Sequence, residues 1–236
     1  MTTRIGFVLF PKLTQLDLTG PFEVFGRLSD AQVLLVGDRE VRSDTGLFLR
    51  PDVGLADAPQ LDVLCVPGGP GVNGAMEDAA LLAFLRSQAE RATWVTSVCT
   101  GALVLGAAGL LRGYRATTHW LSLDLLAPFG ATAVRERVVV DRNRVTGGGV
   151  TAGIDFGLRI AAELRGERAA KEIQLVIEYD PAPPYDAGSP GNASAELVQA
   201  VSSARSRIGE ERRRIVERAA ANLPATANVD RLARSD

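Results

Sequence analysis

The chain alternates short, nearly continuous apolar runs with longer stretches of helical periodicity, and that alternation confines it to few architectures. Ile5–Phe10 (IGFVLF), Val33–Val36 (VLLV), Val63–Val66 (VLCV) and Trp94–Val98 (WVTSV) are the runs. Such segments suit strands covered on both faces, the condition of a parallel sheet between two helix layers. Helical patterns fall between them. The stretch after Asp17 opens with a helix-entry signal at Thr19–Gly20 and carries Phe22 and Phe25 on one side. Asp78–Ala89 starts on an acidic cap and spaces Leu81, Leu82 and Leu85 helically. Thr100–Ala108 is a helix of small residues, and Ala152–Leu164 is amphipathic. Arg137–Asp141 and Arg144–Thr146, turning at Asn143, read as a hairpin or as a late strand followed by glycines. The expected fold is α/β: a three-layer α/β/α sandwich with a mostly parallel, doubly wound sheet.

Composition narrows the function classes. With 46% hydrophobic and 23% charged residues over 236 positions, the chain has material for a sizeable core. A net charge of −2 argues against a nucleic-acid or anionic-membrane partner. No run approaches the ~18 apolar residues of a membrane span, and the start lacks the pattern of a signal peptide. Two cysteines, Cys65 and Cys99, give no disulfide framework, so a reducing cytoplasm is expected. One histidine, His119, excludes a multi-histidine metal site within one chain. Neither cofactor nor metal is expected.

Residues 180–191 (DPAPPYDAGSPG) are too rich in proline and glycine for a regular element and divide the chain. The expected organisation is a domain over 1–190 and a helical extension over 191–236. Within the latter, Glu196–Leu223 reads as a helix interrupted near Glu211, followed by a frayed polar tail. Six arginines against three glutamates over 205–218 make it only mildly basic, and one helix is not a helix-turn-helix.

Three places carry candidate chemistry. At Val98-Cys99-Thr100 a strand runs directly into a helix, the form of a nucleophile elbow, with Ser97 and Gly101 supplying small residues two positions either side. The helix start is expected to favour the thiolate, the nucleophilic form of cysteine. The bland alternative is a buried structural cysteine, which is how Cys65, inside VLCV, is read. Pro67-Gly-Gly-Pro-Gly is a second strand-end turn. It is either a tight turn without a ligand or a source of backbone donors, with Gly69 N–H and Thr100 N–H as an expected anion-stabilising pair. It lacks the GKS/T of a nucleotide loop. Asp17, between two leucines, either caps the following helix or faces the crevice of Cys99, where apolar walls would keep it protonated.

These segments, LFPKLTQLDLTGPFEVF, DVLCVPGGPGV, VTSVCTGALVLGAAGLLRG, ATTHW, VTGGGVTAGIDFGL and EYDPAPPYDAGSP, in order, resemble the class I glutamine amidotransferase-like superfamily. The resemblance is to its deglycase and intracellular-protease branch, and within that to the isocyanide hydratase family. It covers about residues 3–190. It implies a homodimer with Cys99 as nucleophile, Asp17 as acid/base and Thr100 as a pocket hydrogen-bonding group, with Val150 on the pocket side. Relatives of the branch mostly carry glutamate where Asp17 stands, and protease-like members carry histidine where Thr100 stands. His119 matches a histidine near the cysteine in the deglycases; an orienting and a merely packed imidazole are equal readings. With Gly69, Val150 and His119 around the substrate, the implied reaction adds the Cys99 thiolate to the terminal carbon of an isocyanide. Asp17 and Thr100 assist, and water then releases a formamide. Three rivals stand beside it: a glyoxalase or deglycase, the sensing domain of a transcriptional regulator, and a redox sensor.

Overall fold

The computed structural model describes residues 2–223. Six strands form the central sheet in the order Ala31–Val36, Thr3–Val8, Val63–Val66, Trp94–Val98, Arg144–Gly147, Val138–Asp141. All neighbours are parallel except the last pair, the expected hairpin. Val63–Val66 is buried throughout and Trp94–Val98 from its second residue on, as two-sided cover requires. Ala31–Val36, at the sheet edge, is mostly half-buried. The first strand ends at Val8, and Leu9 and Phe10, expected inside it, are buried loop residues.

Gln15–Phe25 and Ala152–Arg165 pack against each other as one helix layer. Their closeness is set by missing side chains. A Cβ on Gly153 would stand 2.9 Å from Pro21 Cδ, and one on Gly157 would stand 3.2 Å from Pro21 Cα and Val24 Cβ. Phe25 bridges the layer to the sheet, its ring 6.0 Å from Phe7 and 6.1 Å from Phe156. Ala79–Ala89, Gly101–Ala107 and Ser206–Ala221 make up the other layer, the last also packing on a 3₁₀ segment, Trp120–Phe129. Asp78 caps its helix as expected, accepting from Leu81 N–H at 3.0 Å.

Three expectations are corrected. The first helix begins at Gln15, not beyond Asp17, so Asp17 lies in its first turn and caps nothing at Thr19. Pro21 sits inside that helix and has no N–H to offer the carbonyl of Asp17 four residues back. The C-terminal helix is two: Ala195–Ala204, capped by Ser194, and Ser206–Ala221. The break falls at Arg205, not near Glu211, which lies in mid-helix. Glu167–Val176 is a further helix that the apolar pattern does not announce, because it buries only Ala170 and Ile173. The expected frayed tail lies outside the described residues.

The glycine-mediated helix crossing holds the segment that carries Asp17. Gly157→Leu is expected to force the two helices apart and to cost about 1–3 kcal/mol, as overpacking does. A fall in the urea midpoint measures this; an unchanged midpoint contradicts the close packing.

Candidate active site

The strand Trp94–Val98 ends against the helix Gly101–Ala107 with no room for a loop, and the backbone turns at Cys99 with φ +54°. For a residue with a side chain this left-handed conformation costs about 1–3 kcal/mol. Its surroundings hold it there. Cys99 N–H donates to Gly147 O at 3.0 Å, and its carbonyl accepts from the Thr118 hydroxyl at 2.8 Å. A Cβ on Gly101 would come within 2.2 Å of Val66 O, so glycine is required there. Ser97 is buried, its hydroxyl without a partner among the described residues.

The second strand-end turn closes over the elbow. Gly68 N–H donates to Asp17 Oδ2 at 2.9 Å, and Gly69 N–H donates to the Thr100 hydroxyl at 2.9 Å. A Cβ on Gly68 would lie 2.8 Å from both Asp17 Oδ2 and Thr100 Oγ1, which shows how tightly the three segments converge. Gly69, at φ +123°, backs onto Thr14 N. The expected anion-stabilising pair therefore does not form. The Thr100 hydroxyl occupies Gly69 N–H, while Thr100 N–H favours charge on the neighbouring Cys99 sulfur. Thr100 does not bond Asp17 directly; the two are joined through consecutive glycines.

A cavity of about 380 Å³ opens at this convergence. Cys99, Thr100, Gly69, Val150 and His119 all line it; Asp17 does not. Asp17 is fully buried behind the cysteine, and its Oδ1 has no hydrogen-bond partner among the described residues. His119 caps the 3₁₀ segment, its Nδ1 accepting from Leu121 N–H at 3.3 Å. Burial, and then the positive charges of Arg212 and Arg205, hold the imidazole below its ordinary pKa. It is a neutral ring with a structural bond as well as a place in the cavity wall.

The electrostatics differ from the expected free thiolate. The helix after Cys99 has only seven residues, and burial pushes the thiol up, with the nearby Asp17 carboxylate adding to it. Burial likewise raises Asp17 to about 7, against the lowering effects of the Gly68 N–H bond and of Cys99. Above about pH 7 the pair carries one negative charge, and burial keeps it from carrying two. The states thiol–carboxylate and thiolate–carboxylic acid have the same net charge and differ by one proton moved inside the pair. Cys65, by contrast, is pushed up to about 12 by burial and accepts from Thr96 Oγ1 at 3.2 Å within the sheet.

Arg212, Trp120, Val201 and Ile208 also line the cavity and were not anticipated as site residues. All but Trp120 come from the C-terminal helices. Their spacing marked them only as a packing face, and nothing local ties them to residues a hundred positions earlier. Among the described residues, no cluster of histidine, cysteine or carboxylate side chains fits a metal, and no helix is long and apolar enough to cross a membrane.

Residues 3–163 match the DJ-1/PfpI family. The chain belongs to the DJ-1/PfpI family. It is 54% identical to the isonitrile hydratase of Pseudomonas putida over 94% of this chain and 99% of that one. A ThiJ/PfpI family protein from Pseudomonas syringae superposes with a TM-score of 0.89 at 44% identity, covering 92% of this chain and 91% of the other. The transcriptional regulator GbdR of Pseudomonas aeruginosa is 31% identical over 75% of this chain, and the match spans 50% of the regulator. As a DJ-1/PfpI protein, the chain has the expected α/β sandwich, with the strained cysteine at the carboxyl ends of its parallel strands, where open α/β sheets bind ligands.

The buried carboxyl has a thermodynamic signature. Asp17 binds its proton more tightly folded than unfolded, so its contribution to stability is present below the unfolded value near 3.8 and is lost as pH rises through about 7. Asp17→Asn keeps an oxygen for Gly68 N–H and cannot ionise. It is expected to be more stable than the native protein at about pH 8, by up to about 4 kcal/mol, and to lose that advantage toward about pH 4. Denaturant unfolding at the two pH values measures the difference; an equal gap at both contradicts the raised carboxyl.

Proposed function

We propose that this DJ-1/PfpI protein hydrates an isocyanide, R–NC, to the N-substituted formamide, with Cys99 as nucleophile and Asp17 as acid and base. The observation that carries the reading is the buried Cys99–Asp17 pair, with the sulfur at the cavity wall and the carboxyl behind it. The near full-length similarity to the isonitrile hydratase of Pseudomonas putida supports the substrate class.

The chemistry asks for a nucleophile and a proton at the same carbon. Asp17 takes the Cys99 proton, and the thiolate adds to the terminal carbon. The carboxylic acid then returns the proton to that carbon, giving a thioimidate, R–N=CH–S–Cys99. An acid without exposed surface delivers its proton only to an atom held at the sulfur. Water then adds across the C=N bond, its hydroxyl to the carbon and its proton to nitrogen. Collapse breaks the C–S bond, releases R–NH–CHO and restores the Cys99 thiol. Atoms balance as isocyanide plus water, and no electrons are exchanged. Thr100 secures the Gly69 turn against the elbow, and Val150, Gly69 and His119 border the substituent. The homodimer and the cytoplasmic setting implied by the family resemblance belong to the same proposal.

Purified protein supplied with a small alkyl isocyanide is expected to form formamide, followed by mass spectrometry. Cys99→Ala should abolish turnover, and Asp17→Asn should reduce it by at least about a hundredfold, the scale of general acid–base assistance. Formamide production by Cys99→Ala, or turnover of methylglyoxal in preference to the isocyanide, contradicts the proposal. Salt-dependent binding of duplex DNA would favour the regulator reading.

A further inference from the structure

Among the described residues, Arg212 is the one charged side chain buried in the cavity wall that the proposed chemistry does not use. It is 8% exposed and reaches the cavity from the middle of Ser206–Ala221. Its Nε donates to Asn73 Oδ1 at 3.0 Å, Nη1 to the Ser122 hydroxyl at 3.2 Å, and Nη2 to Gly69 O at 3.5 Å. Every one of these acceptors is neutral. Among the described residues no carboxylate pairs with it, whereas its neighbours Arg213 and Arg218 have Asp124 and Glu77. Guanidinium stays protonated in proteins, and a buried cation without an anion is costly. Such a group implies that negative charge arrives in the cavity.

The Cys99 sulfur shares that cavity. Cys99 and Arg212 line the same cavity, and Arg212 also bonds Gly69, the residue that grips Thr100. Asp17 lies behind the elbow and outside the cavity. Moving the pair's proton from sulfur to carboxyl therefore brings the negative charge toward Arg212. We propose that Arg212 is a positioning charge for Cys99: it draws the shared negative charge out of Asp17 onto the sulfur and so favours the thiolate–carboxylic acid state. Burial opposes the charge of Arg212, and negative charge on Cys99 favours it. The inference rests on Cys99 and Asp17 acting as nucleophile and acid. The other charged or titratable groups around the cavity are Asp44, on the Thr14 hydroxyl, His119, kept neutral, and Arg205 at the break between the last two helices. Glu211, next in sequence, also acts on Arg212.

The test reads the thiol itself and needs no isocyanide, so it stands or falls separately from hydratase turnover. The rate of Cys99 alkylation by iodoacetamide is followed against pH, with the adduct located by mass spectrometry. Arg212→Gln is expected to slow alkylation by at least about tenfold at a given pH, the equivalent of one pKa unit. Arg212→Lys, which keeps the charge but not the planar fork, should recover most of that loss. Arg212→Met keeps most of the stem without the charge. It should slow alkylation as Arg212→Gln does, and it decides the matter if the glutamine variant does not fold. A rate unchanged in folded Arg212→Gln or Arg212→Met, or lysine and glutamine variants that are equally slow, would overturn the proposal.

Discussion

A carboxyl group with no exposed surface stands directly behind a cysteine in a strained turn, and the rest of the site is arranged around that contact. Burial makes both groups resist ionisation, and it does so for the same reason: neither has water to solvate its charge. The carboxyl ionises before the thiol, and the charge reaches the sulfur only when a proton crosses the pair. Gly68 N–H acts on the carboxylate, Thr100 N–H on the sulfur, and the cavity lies on the sulfur side. This is a different device from a cysteine held permanently ionised. In the proposed chemistry the nucleophile and the acid appear together when one proton crosses the pair.

The fold serves this contact by bringing three strand ends to one point. The helix after the first strand carries Asp17, the turn after Val63–Val66 supplies Gly68 and Gly69, and the elbow after Trp94–Val98 supplies Cys99 and Thr100. Glycines at 68, 69 and 101 let backbone approach backbone where any side chain would collide. The strain at Cys99 is sustained by bonds to Gly147 and Thr118, on either side of the elbow. Gly153 and Gly157 do the corresponding work between helices, seating Ala152–Arg165 against the segment that bears Asp17.

Much of this was legible from residue pattern alone. The strands Val63–Val66 and Trp94–Val98 stand where continuous apolar runs place them, and the elbow follows from a strand running without interruption into Thr100–Gly101. Val150 and His119 join Cys99 around the cavity. What escaped the pattern depends on distances between remote segments. That Asp17 lies inside a helix is masked by Pro21, which ordinarily argues against one. That Gly69 N–H is spent on the Thr100 hydroxyl is a tertiary fact. The contribution of the C-terminal helices was hidden most completely, because an arginine buried in a cavity and an arginine on a solvated face look alike in a charge-rich run. Ionisation escapes the pattern for a similar reason: a helix start favours a thiolate only until burial outweighs it.

The most direct test is the protonation state of the two groups in one sample. Difference infrared spectroscopy across a pH titration reports the protonated carboxyl of Asp17 by its carbonyl stretch, with Asp17→Asn as the blank. Thiolate ultraviolet absorbance, with Cys99→Ala as the blank, reports the sulfur. A shared charge predicts a carboxyl signal persisting to about pH 7 and gaining intensity in Arg212→Lys relative to Arg212→Gln, in step with the thiolate. A carboxyl already ionised at its ordinary value near 3.8, with the sulfur titrating independently of it, would contradict the account.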